Sequence, residues 1–342
     1  MNTAVGLDIG SHSIKLVELV KDKTSITVRA AGMSPTPPKS LTSAIAADME
    51  ALAIAVKKLC SDAGVSTKEV SIALPESQVF TRVIEVPQLS SRELSSAIQW
   101  EAEQYIPLPL EQVNVDFTVL RESKETGTDK MEVLLVAAPK ALLEKYLHIL
   151  ELAGLDAVGA ETEIIAASRA LVRTVPTVHT VMVVSLGAQT TDLAILRSGV
   201  IAFTRSISAG GEALSRAVAQ GLDFNLSQAE EFKKTYGVER DKLEGKIVAA
   251  TKPVLDMIVA EMTRAKSFYE GKYPNERIET VLLSGGTARL PGMVVFVAEV
   301  MGVEAQLANP WAGIRKDPRF AALDPEGTVF SVAVGLALRG SG

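Results

Sequence analysis

The chain has 342 residues, of which 47% are apolar, 22% charged and 5% aromatic, and its formal net charge is -6. This length predicts two domains or two lobes, whereas the acidic balance and the few aromatic side chains argue against a nucleic-acid-binding protein. No apolar run reaches the about 20 residues of a membrane span, no signal peptide is apparent and the single Cys60 excludes an internal disulfide, so we expect a cytoplasmic protein.

The first part of the chain predicts a three-stranded meander, a helix and a further strand. The segments VGLDI, SIKLVEL and SITVRAAGM have the composition of strands and are separated by short polar turns. A Pro-rich loop precedes a helix predicted from Leu41 to Ala63, in which apolar residues recur at helical spacing and which ends at Gly64. EVSIALP then predicts a buried strand.

From Glu76 the pattern changes to that of a small α+β unit. QVFTRVIEVP predicts a strand, and Ser90 with Glu93 forms a capping box that opens a helix ending before Pro107. NVDFTVLRE and KMEVLLVAAP predict a hairpin, and KALLEKYLHILELAG predicts an amphipathic helix. We therefore expect an inserted α+β subdomain over residues 76–158.

The second half of the chain repeats the pattern of the first. After a strand and a helix in LDAVGAETEIIAASRAL, the segment VHTVMVVSLGAQTTDLAILRSGVIAFTRSIS predicts three strands. A mostly helical stretch from Gly210 to Tyr273, the strand IETVLLSGG and a final helix VFSVAVGLALR follow, and Gly335 is predicted to allow close helix packing. The order of elements predicts an α/β protein with two related lobes.

Two Gly-centred hairpins, GLDIGSHSIKL at residues 6–16 and VVSLGAQTTDL at residues 183–193, share one arrangement. Aligned, they match Asp8 with Ser185, Gly10 with Gly187, Ser13 with Thr190 and Lys15 with Asp192. Glycine permits a sharp turn, and backbone amides, hydroxyls and a lysine suit phosphate oxygens. One such loop alone is more simply a polar hairpin, but its recurrence favours a phosphate-bearing ligand between two lobes.

Other sequence patterns for nucleotides, metals and nucleophiles are missing. The chain has neither GxGxxG nor GxxxxGK[ST], and its three histidines and one cysteine show no metal-binding spacing. It also has no GxSxG. In contrast, the buried strand of LLSGGTARLPGM runs into Gly285 and Gly286, which would allow the backbone to approach a flat ligand such as a purine.

The ordered combination of GLDIGSHSIK, AETEIIAA, SLGAQTTD, AEEFKKTYG, LLSGGTARLPG and VAVGLAL resembles the five-part nucleotide signature of actin, sugar kinases and DnaK-type chaperones. Within that superfamily the chain is most similar to FtsA-like proteins and to the PilM family of type IV pilus assembly, through SSAIQWEAEQYIPLPLEQVNVDF and GGEALSRAVAQGLDFNLSQAEEFKKTYG. The resemblance covers essentially the whole chain. It implies a bilobed actin-like fold of ribonuclease H-like repeats, with subdomain IA at residues 1–75, 159–178 and 326–342, IC at 76–158, IIA at 179–209 and 278–325, and IIB at 210–277.

The resemblance further implies ATP or ADP with Mg²⁺ as the ligand. The nucleotide-binding positions that it implies are Asp8, Gly10, Ser11, Ser13 and Lys15 in the first phosphate loop, Gly187, Gln189, Thr190, Thr191 and Asp192 in the second, Gly210 and Gly211, Glu230 and Lys233 at the ribose, and Gly285, Gly286 and Ala288 at the adenosine. Asp8 would also hold Mg²⁺ through water. Glu161 matches the catalytic position that orients the attacking water, although a helix-start acid favoured by the macrodipole is an equal alternative. Glu230 could instead form a capping box with Ser227.

Ser185 departs from the family pattern, which commonly has an aspartate there. A hydroxyl supplies no negative charge to a divalent ion, and phosphoryl transfer depends mainly on positioning and electrostatics. We therefore expect turnover to be weakened more than binding, which makes the paired loops a clamp with weak or absent hydrolysis.

The resemblance implies a scaffold that binds the N-terminal cytoplasmic peptide of PilN, in a groove between the first lobe and its insert, and links it to the pilus secretion ATPase. Such a protein would lie at the inner membrane only through partners, with self-association possible. An FtsA-like filament protein and a sugar or acetate kinase remain alternatives. The first usually carries a C-terminal amphipathic membrane helix, which we do not find in VGLALRGSG, and the second would normally retain an aspartate at Ser185. A GspL-type relative would carry a membrane span.

Overall fold

The computed structural model describes residues 2–41, 43 and 45–340. Parts of two expectations lie outside the described residues: the ends of subdomain IA at residues 1, 341 and 342, and residues 42 and 44 of the helix predicted from Leu41.

Within the described residues the chain forms thirteen strands and ten helices. The strands are β1 (Asn2–Ile9), β2 (Ser13–Lys21), β3 (Ile26–Pro35), β4 (Glu69–Leu74), β5 (Phe80–Pro87), β6 (Val113–Arg121), β7 (Lys130–Pro139), β8 (Asp156–Thr162), β9 (Thr180–Leu186), β10 (Thr191–Arg197), β11 (Val200–Ile207), β12 (Thr280–Ser284) and β13 (Glu304–Leu307). The helices are α1 (Ala46–Ala63), α2 (Ser91–Tyr105), α3 (Ser123–Thr126), α4 (Lys140–Ala153), α5 (Glu163–Leu171), α6 (Gly211–Leu222), α7 (Leu226–Tyr236), α8 (Lys246–Lys272), α9 (Met293–Met301) and α10 (Ser331–Gly340). None of these helices combines the length and the apolar character that crossing a bilayer requires.

The first sheet has the strand order β3-β2-β1-β4-β8. Strands β1 to β3 form the expected antiparallel meander, and β4 and β8 run parallel to β1. Helices α1 and α4 pack together against one face, where Leu52 and Val56 of α1 share a core with Ile149 of α4 and Leu7 of β1. This sheet with α1 and α4 is called the first lobe.

The second sheet repeats this arrangement with the order β11-β10-β9-β12-β13. Helices α8 and α9 cover one face, where Leu255, Met262 and Val297 pack on Met182 of β9. Helices α6 and α7 extend from this side within residues 210–277. We call this sheet with α6 to α9 the second lobe. The prediction of two related α/β lobes is therefore confirmed, although the sequence patterns did not predict α9 and β13.

Helices α5 and α10 lie between the two sheets and pack on each other. A Cβ atom at Gly335 of α10 would lie 1.8 Å from the carbonyl oxygen of Ala166 in α5, so only glycine permits this approach. The prediction that Gly335 serves close helix packing is confirmed. The same pair of helices contacts the second sheet, because Ala166 and Leu336 share a core with Val181 and Leu196.

The third sheet, β5-β7-β6, and α2 form the insert. Helix α2 begins with the predicted capping box of Ser90 and Glu93 and covers one face of this sheet. The expected end of the insert at residue 158 needs correction, because the apolar face of α4 packs on α1 and β8 joins the first sheet. The insert therefore ends at Pro139, the last residue of β7.

Candidate functional site

The first hairpin, between β1 and β2, turns at Gly10. The Gly10 amide donates to the Ser13 carbonyl at 3.2 Å, and the Lys15 Nζ donates to Asp8 Oδ2 at 3.1 Å. Asp8 is only 3% exposed, so its charge is balanced chiefly by this lysine. Ser11, at the tip, is exposed. The hairpin thus presents a turn of polar residues above a nearly buried ion pair.

The second hairpin, between β9 and β10, has the same turn but a different charge. The Gly187 amide donates to the Thr190 carbonyl at 2.9 Å. The Asp192 carboxylate accepts hydrogen bonds from Thr190 at 3.0 Å and from Ser206 at 2.5 Å. It lies opposite Ser185 in the strand register, where the first hairpin pairs Asp8 with its lysine. Among the described residues, the acid of this hairpin is therefore held by neutral hydroxyls and not by a cation.

Not every expected residue of the second hairpin faces outward. Gln189 is exposed at the tip. Thr191 is fully buried, and its hydroxyl donates to the Ala209 carbonyl at 2.8 Å. Because that hydroxyl is already committed inside the lobe, we assign Thr191 to the support of the loop and not to ligand binding.

Gly210 and Gly211 hold the second hairpin against the start of α6. The Gly211 amide donates to the Gly187 carbonyl at 2.9 Å, and the Glu212 amide donates to the Ala188 carbonyl at 2.8 Å. A Cβ atom at Gly210 would lie 2.7 Å from both carbonyl oxygens. Two amides of the α6 N-terminus are thus used within the protein, and these glycines fix the shape of the loop.

The Gly285–Gly286 turn packs against the second hairpin as well. Gly285 has a φ of +85°, and a Cβ atom there would lie 2.4 Å from the Leu186 carbonyl oxygen. Thr287 donates to the Gly187 carbonyl at 3.1 Å. Ala288 points inward and is 1% exposed in the core of the second lobe, so its expected contact with adenosine is not supported by its position.

Lys233 and Glu230 form a compact polar cluster beside the start of α6. Lys233 is 4% exposed, and its Nζ donates to the Gly211 carbonyl at 2.9 Å, to Ser215 at 2.8 Å and to Glu230 at 2.7 Å. Burial alone would raise the pKa of Glu230, but the hydrogen bonds from Lys233 and Ser215 lower it to about 2. The two expected ribose positions therefore lie together, next to Gly211.

The alternative role of Glu230 as a helix cap was wrong. Helix α7 begins after Asn225, whose side-chain Oδ1 accepts from the Gln228 amide at 2.9 Å, and the Asn225 amide donates to Gln228 Oε1 at 3.1 Å. A capping box from Ser227 to Glu230 does not form because the helix starts earlier.

Glu161, the residue expected at the catalytic position, is engaged in an ion pair. Its carboxylate forms a double ion pair with Arg169 of α5, at 2.5 Å and 2.6 Å, and Arg169 also donates to the Gly335 carbonyl at 2.8 Å. This contact ties β8 to the two central helices. A carboxylate held in that way is not available to orient water.

The acid that faces both hairpins is Glu163, the first residue of α5. Burial and the nearby carboxylates of Asp192 and Asp8 raise its pKa, while Lys15 lowers it. One side chain thus senses charges from the first and the second hairpin together. These charge interactions indicate that Glu163, at the N-terminus of α5, lies near the charged residues of both hairpins, two residues beyond the position that the sequence indicated.

A further acid, Glu76, was not foreseen as a site residue. It lies in the short helical turn that joins β4 to the insert and is 6% exposed. Burial and then the charge of Asp192 raise its pKa to about 7, with Thr162 and Thr81 beside it. Among the described residues, Glu76 Oε2 and both threonine hydroxyls have no hydrogen-bond partner. In the sequence, Glu76 is a single acidic residue after Pro75, a pattern that does not indicate a buried carboxylate near the second hairpin.

The expected Mg²⁺ position at Asp8 is only partly built by protein. Within the described residues, no three His, Cys, Asp or Glu side chains are grouped to hold a metal ion. Asp8 is paired with Lys15, so a Mg²⁺ ion here would take most of its ligands from phosphate oxygens and water, as this ion commonly does.

Comparison with known proteins places the chain among actin-like folds. The family model described as "Type IV pilus assembly protein PilM" matches residues 6–341. A solved PilM-PilN type IV pilus biogenesis complex is 32% identical, with 99% of this chain and 98% of that chain covered and a TM-score of 0.87. The cell division protein FtsA of Streptococcus pneumoniae serotype 2 is 25% identical over 359 residues, or 92% of this chain and 77% of FtsA. MreB5 of Spiroplasma citri bound to ADP shares the fold at 14% identity, with 98% of this chain and 95% of that chain covered and a TM-score of 0.54.

Proposed function

The chain belongs to the PilM family of type IV pilus assembly proteins, and from this premise we propose that it is a nucleotide-binding scaffold of pilus assembly. The observation that carries the proposal is the match to the PilM-PilN complex, at 32% identity over almost the full length of both chains. By scaffold we mean a protein that binds other proteins in a way that depends on its ligand-bound conformation and that does not convert a metabolite.

PilN is the partner in this proposal, through its N-terminal cytoplasmic peptide. The related solved structure is a complex of PilM with PilN, which supports this choice of partner. We place the peptide between the first lobe and the insert, where the chain crosses from β4 to β5 and returns from β7 to α4. Attachment at the cytoplasmic face of the inner membrane through PilN, and a link to the secretion ATPase, are parts of the same proposal.

The proposed nucleotide is ATP or ADP, held between the two hairpins. Lys15 and the turn amides of both hairpins would hold the phosphates, Glu230 and Lys233 the ribose, and Gly285 with Gly286 the adenosine. Two observations support the fit. Glu163 lies near charged residues of both hairpins, and Gly210 and Gly285 allow the backbone to pack closely against the second hairpin and fix its shape. When bound, the nucleotide would supply negative phosphate charge at the junction of the lobes. The ADP-bound MreB5 structure supports a nucleotide on this fold.

Hydrolysis is proposed to be weak, and any that occurs would depend on Glu163. The second hairpin offers Ser185 opposite Asp192, so one carboxylate of the expected set is missing. Glu161 is committed to Arg169, which leaves Glu163 as the acid at the junction. The residues favour holding a nucleotide over cleaving it.

Two titrations test this function separately. Calorimetry with ADP and Mg²⁺ should show binding to the wild-type chain, and Lys58→Ala, an exposed residue on α1, should bind equally. Fluorescence anisotropy with a labelled peptide of the PilN N-terminus should show saturable binding that a scrambled peptide lacks. Absence of peptide binding, with and without nucleotide, would remove the pilus scaffold function, whereas absence of nucleotide binding alone would remove only the clamp.

A second candidate is an FtsA-like protein that polymerises with nucleotide. The match to FtsA over 92% of the chain favours it. Sedimentation with ATP and Mg²⁺ distinguishes the two functions, because a filament protein pellets above a critical concentration and a monomeric scaffold stays in the supernatant.

A further inference from the structure

The insert carries a row of charged residues on the face of its sheet opposite α2. Glu85 of β5 and Arg121 of β6 both lie beside Glu132 of the central strand β7 in the strand register. Directly paired residues project from the same face of a sheet, so all three point toward the second lobe. Glu132 is 5% exposed, so its carboxylate is largely removed from solvent.

Glu132 is satisfied mainly by the second lobe. The Tyr273 hydroxyl donates to Glu132 Oε1 at 2.8 Å, and Arg197 Nη2 donates to Oε2 at 3.4 Å. In the reverse direction, Arg121 of the insert donates to the Arg197 backbone carbonyl at 2.7 Å. A buried carboxylate that loses such partners retains an uncompensated charge, so these contacts hold the two parts in one relative position.

Further contacts extend this cluster on the second lobe. Arg197 also donates to Glu276 at 3.4 Å and lies over the Tyr273 ring, 4.4 Å from its centroid. Lys272 at the end of α8 reaches Glu85 of the insert at 2.6 Å. The charges of Glu132 and Glu85 are therefore matched at the shortest distances by Arg197 and Lys272 of the second lobe, while Arg121 of the insert itself lies farther away, 4.0 Å from Glu132 Oε2.

Apolar packing supports the same attachment. Leu134 of β7 is 6% exposed and shares a core with Leu196 and Ile201 of the second sheet, a core that also includes Ala73 of β4 and residues of α5 and α10. Toward the first lobe, the insert contributes Val79 and Ala138, which lie close to the two points where the chain crosses. The first lobe thus meets the insert through an apolar hinge region, while the second lobe meets it through apolar and buried charged contacts together.

We infer that the insert is fastened to the second lobe by the buried cluster of Glu132, Arg197 and Tyr273 and follows that lobe when the two lobes rotate. Its position relative to the first lobe then changes at the crossings after β4 and β7. The attachment itself does not depend on the proposed function. Only its consequence rests on that function, namely that lobe closure would change the width of the proposed PilN groove. Interdomain rotation about a few hinge residues is a common response to ligands.

Spin-label distances test the fastening without any ligand. In a Cys60→Ala background, labels at exposed Ser95 of the insert and exposed Gln220 of α6 report the separation of the insert from the second lobe. We expect a narrow distribution in the parent and one roughly twofold wider in Glu132→Ala, because opening of a local contact releases the attached unit. Tyr273→Phe, which removes only one hydroxyl, provides a milder variant if Glu132→Ala does not fold. Arg240→Ala, an exposed residue paired with Glu299 within the second lobe, is the matched control. A distribution that stays narrow in both cluster variants would overturn the inference.

A second distance tests the consequence with ADP and Mg²⁺ as the probe. Labels at Ser95 and at exposed Glu50 of α1 report the separation of the insert from the first lobe. On ADP binding, this separation should shift while that between Ser95 and Gln220 stays fixed. The opposite pattern, or no shift in either despite bound ADP, would contradict the inference that the insert follows the second lobe. Failure of ADP to bind would count against the proposed clamp, and the ligand-free distances would still decide the fastening.

Discussion

The two hairpins share one backbone design and differ in how they carry charge. The first sets Asp8 against Lys15 in a nearly buried ion pair, whereas the second sets Asp192 among the hydroxyls of Thr190 and Ser206. The second hairpin is instead fixed by close backbone contacts with Gly210 and Gly285. The difference indicates that the first hairpin contributes charge to the site and the second contributes shape. A clamp needs both, whereas phosphoryl transfer would need charge on the second side as well.

The largest expected effect comes from disturbing the shape of the second hairpin. Gly285→Ala places a Cβ atom 2.4 Å from the Leu186 carbonyl oxygen at a φ of +85°. We expect it to lower the free energy of unfolding by about 4 kcal/mol, since backbone strain and steric overlap add. Urea unfolding measures this change. Gly286→Ala is the matched control, because the nearest atom to its Cβ would be Val329 Cγ1 at 3.8 Å. Equal stability of the two variants would show that the turn does not depend on Gly285.

The next effect concerns Glu76, the buried acid whose pKa is affected by the charge of Asp192 in the second hairpin. Burial raises the pKa of Glu76 from 4.5 to about 7, so folding favours its protonated form. The stability from this group is complete below pH 4.5 and is lost as the pH rises through about 7, a loss of up to about 3 kcal/mol. Glu76→Gln should therefore be more stable than the wild type at pH 8 and closer to it at pH 4.5. Chemical unfolding at both pH values, with exposed Glu103→Gln as control, checks the sign. A variant less stable than the wild type at pH 8 would show that the charged carboxylate has a stabilising partner.

The charge of the first hairpin should matter for ligand binding, and because Lys15 balances the nearly buried Asp8 carboxylate, its removal should also lower the stability of the fold. Lys15→Ala removes the cation from above the Asp8 carboxylate. We expect ADP to bind about 30-fold more weakly, corresponding to about 2 kcal/mol for a charged hydrogen bond. Calorimetry measures the affinity for ADP. Thr190→Ala in the second hairpin should reduce this affinity less than Lys15→Ala does, because it removes a neutral hydroxyl and not a charge. Similar losses in both variants would contradict the division into charge and shape.

The smallest expected effect is a gain of catalysis. Ser185→Asp would add a second carboxylate to the second hairpin, opposite Asp192, at the position where the family pattern commonly has an aspartate. We expect phosphate release to rise up to about tenfold, or about 1.4 kcal/mol in the barrier. A combined Ser185→Asp, Glu163→Gln variant should lose this gain. If Ser185→Asp left the rate unchanged, the missing carboxylate would not be the reason for weak turnover.

The repeated lobes could be predicted from the sequence because each begins with the same Gly-centred hairpin. Helix α9 escaped prediction since MVVFVAEVMGV is apolar except for Glu299 and Gly302 and shows neither helical nor strand periodicity, and β13 is the four-residue segment EAQL that follows it, too short to give a pattern. The sequence indicated Glu161 and not Glu163 as the acid of the site, because β8 passes into α5 without Gly or Pro to mark the boundary between strand and helix. The sequence interpretation considered a capping box only from Ser227 to Glu230, whereas helix α7 starts two residues earlier, after Asn225. The contact of Glu132 with Arg197 joins residues 65 positions apart, which local patterns do not encode.

The most direct test of the clamp is a single-turnover experiment with excess protein, labelled ATP and Mg²⁺. Bound nucleotide is separated over time, and released phosphate is measured. We predict that ATP stays bound and intact, because the second hairpin supplies shape without the carboxylate at Ser185. Prompt phosphate release that disappears in Glu163→Gln but persists in Glu161→Gln would contradict the clamp, since the protein would then run a hydrolytic cycle.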